Sequence, residues 1–153
     1  MNGGCLFRGE ENVISSPPMK EQDVILRTIL TQPGTIAVVG ASPNPARPSN
    51  VVMKYLIEQG FDVIPVRPKV AQILGIKCYA DLDAIPVPVD IVDVFRKAEA
   101  CPNVARAAVA KSARVLWLQE GIISGEAGEI ARAGGLEVVM NECIRKVHER
   151  LCS

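Results

Sequence analysis

The sequence is short of most of the features that make a function easy to name. It holds one histidine, His148, among 153 residues. Its five cysteines, Cys5, Cys78, Cys101, Cys143 and Cys152, are odd in number, widely scattered and contain no C-x-x-C pair. That argues against a closely spaced zinc site or a closed disulfide framework, and makes reduced thiols in a cytoplasmic protein the expectation. Charge of either sign is not in surplus, since seventeen Lys and Arg are matched by seventeen Asp and Glu. A nucleic-acid partner, which usually demands a basic excess, is therefore not expected. Long apolar runs are missing too: stretches such as 36–39 are of strand length, far below the about 18 residues of a membrane span. Arg8, Glu10 and Glu11 interrupt Leu6, Phe7 and Val13, which is unlike the continuous apolar region of a secretory signal. Neither a membrane partner nor secretion is expected.

What is present describes a globular chain, with 48% hydrophobic and 22% charged residues and room for one α/β domain. Residues 1–18, with Gly3-Gly4, Ser15-Ser16 and Pro17-Pro18, have no periodicity and read as a flexible leader. Val24, Ile25, Ile29 and Leu30 predict an added helix over 19–31, stopped by Gln32-Pro33-Gly34. From there strand and helix patterns alternate. Strands are predicted at Thr35–Val39, Asp62–Val66, 90–95, Val115–Leu118 and 136–140, with a short one at 76–79. Helices are predicted over 49–59, 99–111, from a Ser124 cap to Gly134-Gly135, and over 142–151, with a helical turn at 81–85. Such alternation predicts a Rossmann-like, doubly wound α/β fold: a mostly parallel sheet with helices on both faces. Ligands of such sheets gather outside the carboxyl ends of the strands, which nominates the loops after Val39, Val66, Phe95 and Leu118.

Those loops carry a coherent set of side chains. Gly40-Ala41-Ser42 is small enough for a phosphate to approach backbone amides, but the second and third glycines of G-x-G-x-x-G are absent, which speaks against a standard NAD fingerprint. Arg47 and Ser49 fall at the expected start of the first crossover helix, where an anion is favoured. After the second strand, where NAD enzymes place an acidic residue, the chain has Val66-Arg67-Pro68-Lys69. Two cations there suit a phosphorylated ribose, as in NADP or coenzyme A, and the prolines offer a flat wall to an adenine. The fourth strand leaves through Val94-Phe95-Arg96 and the fifth through Gln119-Glu120-Gly121, so an elongated ligand could cross both.

The run from Gly40 to Leu56, with Val66-x-Pro68-Lys69, Val92-Asp-Val-Phe-Arg96 and Leu116-Trp-Leu-Gln-x-Gly121, resembles the small stand-alone CoA-binding proteins with a Rossmann domain. These are similar to the CoA-binding domain of succinyl-CoA synthetase α subunits and acyl-CoA synthetases. The resemblance implies one CoA-binding domain over 19–153, including the added helix, with CoA or an acyl-CoA as ligand and no catalysis by the domain alone. It assigns Gly40, Ala41, Ser42 and Arg47 to the phosphate loop, Val66, Pro68 and Lys69 to the adenosine end, and Val94, Phe95, Arg96 and Gln119 to the nucleotide and pantetheine arm. Arg67 stands where relatives often carry Asn or Ser, so its phosphate role rests on its charge.

An NADP-binding oxidoreductase or redox sensor is the alternative that the same cations permit, although the chain leaves no room for a substrate domain. Thiol chemistry at Cys143 assisted by His148 is disfavoured by spacing, since residues five apart on a helix do not share a face. His148 is not the counterpart of the synthetase phosphohistidine, which lies in a domain absent from this pattern. A homodimer or an unknown protein partner is left open, with the added helix as a place for it.

Overall fold

The computed structural model of the protein describes residues 20–32 and 34–152. The leader at 1–18 lies outside the described residues. Helix α1 (Glu21–Thr31) is followed by β1 (Thr35–Val39), α2 (Pro48–Glu58) and β2 (Asp62–Val66). A small antiparallel pair, β3 (Gln72–Ile73) and β4 (Ile76–Lys77), and a 3-10 turn (Leu82–Ala84) lead to β5 (Ile91–Val94). A second 3-10 turn (Ala98–Ala100) runs into α3 (Cys101–Ala110), then β6 (Val115–Leu118), α4 (Gly125–Ala133), β7 (Glu137–Val139) and α5 (Ile144–Cys152).

Five strands form one parallel sheet in the order β2-β1-β5-β6-β7. Alternate residues feed its two faces, as the two-residue strand period requires. Ile36, Val38, Val63, Val115 and Trp117 pack against α1, α2 and α5, whereas Ala37, Val39, Val92, Leu116 and Leu118 pack against α3 and α4. Burial on both sides explains why the strands read as apolar runs. Helix α2 begins with Pro48 at a first-turn position, where its missing N–H costs nothing, and buries Val52, Met53 and Leu56. It ends where Gly60 turns to φ 93° and Phe61 N–H reaches back to Leu56 O at 3.1 Å. Ser124 caps α4, its Oγ accepting from Ala127 N–H at 3.1 Å, as the sequence led us to expect.

The expected third strand at 76–79 takes a different form. Ile76–Lys77 pairs back on Gln72–Ile73, and only Tyr79 adds to the main sheet, through a single parallel bridge to Val66. Arg67 N–H donates to Tyr79 O at 2.8 Å and Tyr79 N–H to Pro65 O at 3.1 Å, so this one residue covers the exposed edge of β2.

One core residue breaks the apolar rule. Asp93, paired in register with Val38 on one side and Trp117 on the other, is fully buried, and neither carboxyl oxygen has a hydrogen-bond partner. Burial pushes its carboxyl well above the usual range, because an ion there would lose its hydration without compensation. A folded-state pKa above the unfolded one gives stability that is complete below the unfolded value and declines as pH rises from there. Asp93→Asn should therefore gain stability relative to the parent as pH rises, by about 1–3 kcal/mol at pH 8 and almost nothing at pH 3. Urea unfolding of both proteins across pH reads the difference, and a gain that does not grow with pH would contradict a neutral buried acid.

Candidate functional site at the switch point

The sheet order reverses at β1, whose neighbours are β2 and β5, and the cavities of interest lie outside the carboxyl ends of these strands. One, of roughly 560 Å³, is lined by Gly40, Val66, Arg67, Pro68 and Arg96, with Asp81 and Asn103 on its far side. A second, of roughly 670 Å³, lies over the β1–α2 loop between Ser42, Arg47, Arg67 and Lys97. A third, of roughly 500 Å³, opens beyond α2 and is lined by Pro48, Gln119, Cys143 and Lys146. The half-buried Phe95 is a wall of all three, so they adjoin one another at this residue.

Local geometry explains how the loop is held. Gly40 has φ 87°, and a Cβ there would lie 2.8 Å from Phe95 O, so neither the conformation nor the space admits a side chain. Gly40 and Ala41 both donate their N–H groups to Val66 O, at 3.1 and 3.3 Å, and Ser42 N–H donates to Ser49 Oγ at 3.0 Å. Asn44 N–H donates to Ser42 Oγ and Ala46 N–H to Asn44 Oδ1. The bare amides expected for a phosphate are thus consumed internally, because the end of β2 supplies an acceptor and the loop closes on its own hydroxyl and amide groups. An anion placed here would have to be held by side chains.

Those side chains are available. Arg47, Arg67, Arg96 and Lys97 are exposed and line the first two cavities, and among the described residues none of the four forms an ion pair. Arg67 Nη1 donates to Ala41 O at 3.3 Å, which aims the guanidinium across the loop.

Other expected residues are placed differently. Lys69 sits in a turn with φ 65° and lines none of these cavities. Val94 is fully buried in the core under α3, so any part it plays is through its backbone, whose oxygen accepts from Gln119 N–H at 3.2 Å. Ala41 is likewise a core residue. Lys97, Asn103 and Cys143 were not singled out as groove residues. Lys97 simply extends the cationic run begun at Arg96, whereas Cys143 reaches the groove only because β7 ends beside β6.

Gln119 is 5% exposed; its Oε1 accepts from Ile144 N–H at 3.1 Å, and its Nε2 has no hydrogen-bond partner in the described structure. Cys143 and His148 line different cavities, in keeping with their spacing. His148 lies at the opposite end of the sheet, where its Nδ1 and Tyr55 Oη are 2.6 Å apart, and burial holds it below the ordinary histidine pKa.

A parallel sheet with helices on both faces and cation-lined cavities at its switch point defines a Rossmann-like α/β protein. Residues 34–149 match the CoA binding domain family, and the chain belongs to that family. It is 38% identical to YneT of Bacillus subtilis over 80% of this chain and 91% of YneT. It is 28% identical to acetate–CoA ligase (ADP-forming) I of Archaeoglobus fulgidus over 80% of this chain, which spans only 19% of that ligase. A solved protein of Pyrococcus horikoshii superposes with a TM-score of 0.84 at 41% identity, covering 95% of this chain and 100% of that one. Among the described residues no helix is long and apolar enough to cross a membrane.

Gly40→Ala should cost about 2–4 kcal/mol, from the left-handed backbone and the approach to Phe95 O together. Urea unfolding measures it, and an unchanged midpoint would mean the β1 exit is not closed as described.

Proposed function

We propose that the chain binds coenzyme A or an acyl-CoA across the carboxyl ends of β1, β2, β5 and β6, and does not by itself catalyse a reaction of it. The observation that carries this reading is the set of four cations, Arg47, Arg67, Arg96 and Lys97, that form no ion pair among the described residues, around cavities that meet at Phe95. CoA carries a diphosphate and a ribose 3′-phosphate at one end and a long amide arm at the other. Cations that are exposed and uncommitted bind phosphate without first breaking an internal pair.

In this reading the adenosine end takes the cavity of Val66, Arg67, Pro68 and Arg96. The diphosphate lies over Gly40-Ala41-Ser42 towards Arg47 and Lys97. The arm passes Phe95 to Gln119, whose unpaired Nε2 can donate to an amide carbonyl. Lys69 would act only at longer range. A holding role fits a lining of cations, amides and apolar walls, with the Asp81 carboxylate already accepting from Ala84 N–H at 2.9 Å. Family membership and the name of the Archaeoglobus ligase support CoA as the ligand class.

Isothermal titration with CoA, dephospho-CoA, NADP and NAD tests the reading. CoA should bind at least about tenfold tighter than NAD, with dephospho-CoA between them, since each charged hydrogen bond is worth about 1.5 kcal/mol or more. Equal heats, or none, for all four would overturn it. Arg67→Ala should weaken CoA about tenfold and flatten the salt dependence while leaving the unfolding midpoint unchanged. Unaltered CoA affinity in this variant would remove Arg67 from the site.

A further inference from the structure

Resting on that reading, we propose that the groove presents CoA sulfur to Cys143, so that Cys143 forms a mixed disulfide by exchange with a disulfide of CoA. The thiol is placed for it. Cys143 is the residue before α5 and borders the roughly 500 Å³ cavity together with Phe95 and Gln119. Phe95 is also a wall of both cation-lined cavities, so a ligand with its phosphates near Arg47 and Lys97 extends past the ring into the cavity of Cys143. Gln119 lies on the same cavity wall, the residue almost wholly buried, with its Oε1 held by Ile144 N–H and its Nε2 without a protein hydrogen-bond partner among the described residues. An arm carrying amide carbonyls would give that Nε2 an acceptor.

The other described cysteines are placed for different roles. Cys78 Sγ donates to Arg67 O at 3.5 Å and Cys101 Sγ to Lys97 O at 3.4 Å, and burial raises both thiols. Cys152 lines the cavity beside His148 and Phe61, at the far end of the sheet. Cys143 is therefore the described thiol on the path of the arm.

The step is a balanced exchange. The Cys143 sulfur gives its proton to solvent and bonds to one sulfur of the CoA disulfide; the old S–S pair leaves with the other half, which takes up a proton and departs as CoA thiol. Cys143 is oxidised, the departing half is reduced, and no further oxidant is needed. A site of this kind would report the thiol–disulfide state of the cofactor pool.

The full-length reduced protein is incubated with CoA disulfide, and in parallel with hydroxyethyl disulfide at the same concentration, then followed by intact-mass and peptide-mapping mass spectrometry. One CoA per chain should appear on the peptide containing Cys143, at least about tenfold faster than the hydroxyethyl adduct, because binding supplies the local concentration. Reduced CoA in excess should slow it, dithiothreitol should reverse it, and Cys143→Ser should abolish it. Adduct mainly on Cys5, Cys78, Cys101 or Cys152, no adduct, or equal rates for the two disulfides would each overturn the inference. Titration of the same preparation with reduced CoA separates the failures: CoA binding without the adduct sinks this inference alone, whereas absent CoA binding sinks the function on which it rests.

Discussion

The contact on which the rest of the site depends is the approach of the β1 exit to the β5 exit. At φ 87° Gly40 lets the chain turn beneath Phe95 O, close enough that a Cβ would sit 2.8 Å from it. The same turn brings the Gly40 and Ala41 amides onto Val66 O. Three strand ends are thereby tied together: β2 through its terminal carbonyl, β1 through the glycine, and β5 through Phe95, whose own N–H donates to Val39 O at 2.8 Å. Phe95 can be a shared wall of three cavities only because its backbone is fixed in this way. The cavities owe their adjacency to backbone hydrogen bonding, and their chemistry to the side chains around them.

The same bonding redistributes the work of holding an anion. A loop whose amides point outward recognises phosphate through dipoles and needs little charge. Here the amides are spent on Val66 O, Ser49 Oγ and Asn44, so in the proposed site cations would do what dipoles do elsewhere. This reconciles a chain of zero formal net charge with a strongly anionic ligand class: four cations stand at one rim of the sheet, while some charges elsewhere are paired, as in Arg114 with Asp90 and Arg150 with Asp23. Charge-based recognition of this kind is sensitive to ionic strength, whereas hydrogen bonds from the loop would have been less so.

How much of this was legible in the sequence follows from the range of each interaction. Strands β1, β2 and β6 were readable to the residue because burial on both faces forces uninterrupted apolar runs, a local signal. The Ser124 cap and the Gly60 stop were readable for the same reason. Tyr79 was not, since one bridging residue has no period to detect. The occupied amides of 40–42 were not, because their acceptors belong partly to β2, some twenty-five residues away along the chain. Asp93 was hidden inside a strand correctly read as buried: polarity at one position does not break an apolar pattern, and only the register shows it set between Val38 and Trp117. Lys69 shows the opposite failure, in which the right residue type at the right place in sequence is turned out of the groove's lining by its own turn.

Helix α5 connects the groove to the far end of the sheet, and its anchoring decides how firmly Cys143 is held. At its start, Gln119 Oε1 accepts from Ile144 N–H, and Trp117 Nε1 donates to Glu142 O at 2.8 Å, so the fully buried indole fixes the residue just before Cys143. Further along, Ile144 and Val147 are buried in the core under β6. At its end, Tyr55 engages His148, the Phe61 ring meets that imidazole edge-on at 5.7 Å, and Arg150 pairs with Asp23 of α1. Because burial disfavours the imidazolium, the Tyr55–His148 contact is one of neutral partners and is kept as long as the solution does not force a proton on His148. A helix pinned at both ends cannot swing far, so the backbone of Cys143, between the anchored Glu142 and Ile144, is held at the cavity it shares with Gln119. Whatever thiol chemistry the groove supports is then selected by how far a ligand's arm reaches past Phe95, and not by movement of the protein towards it.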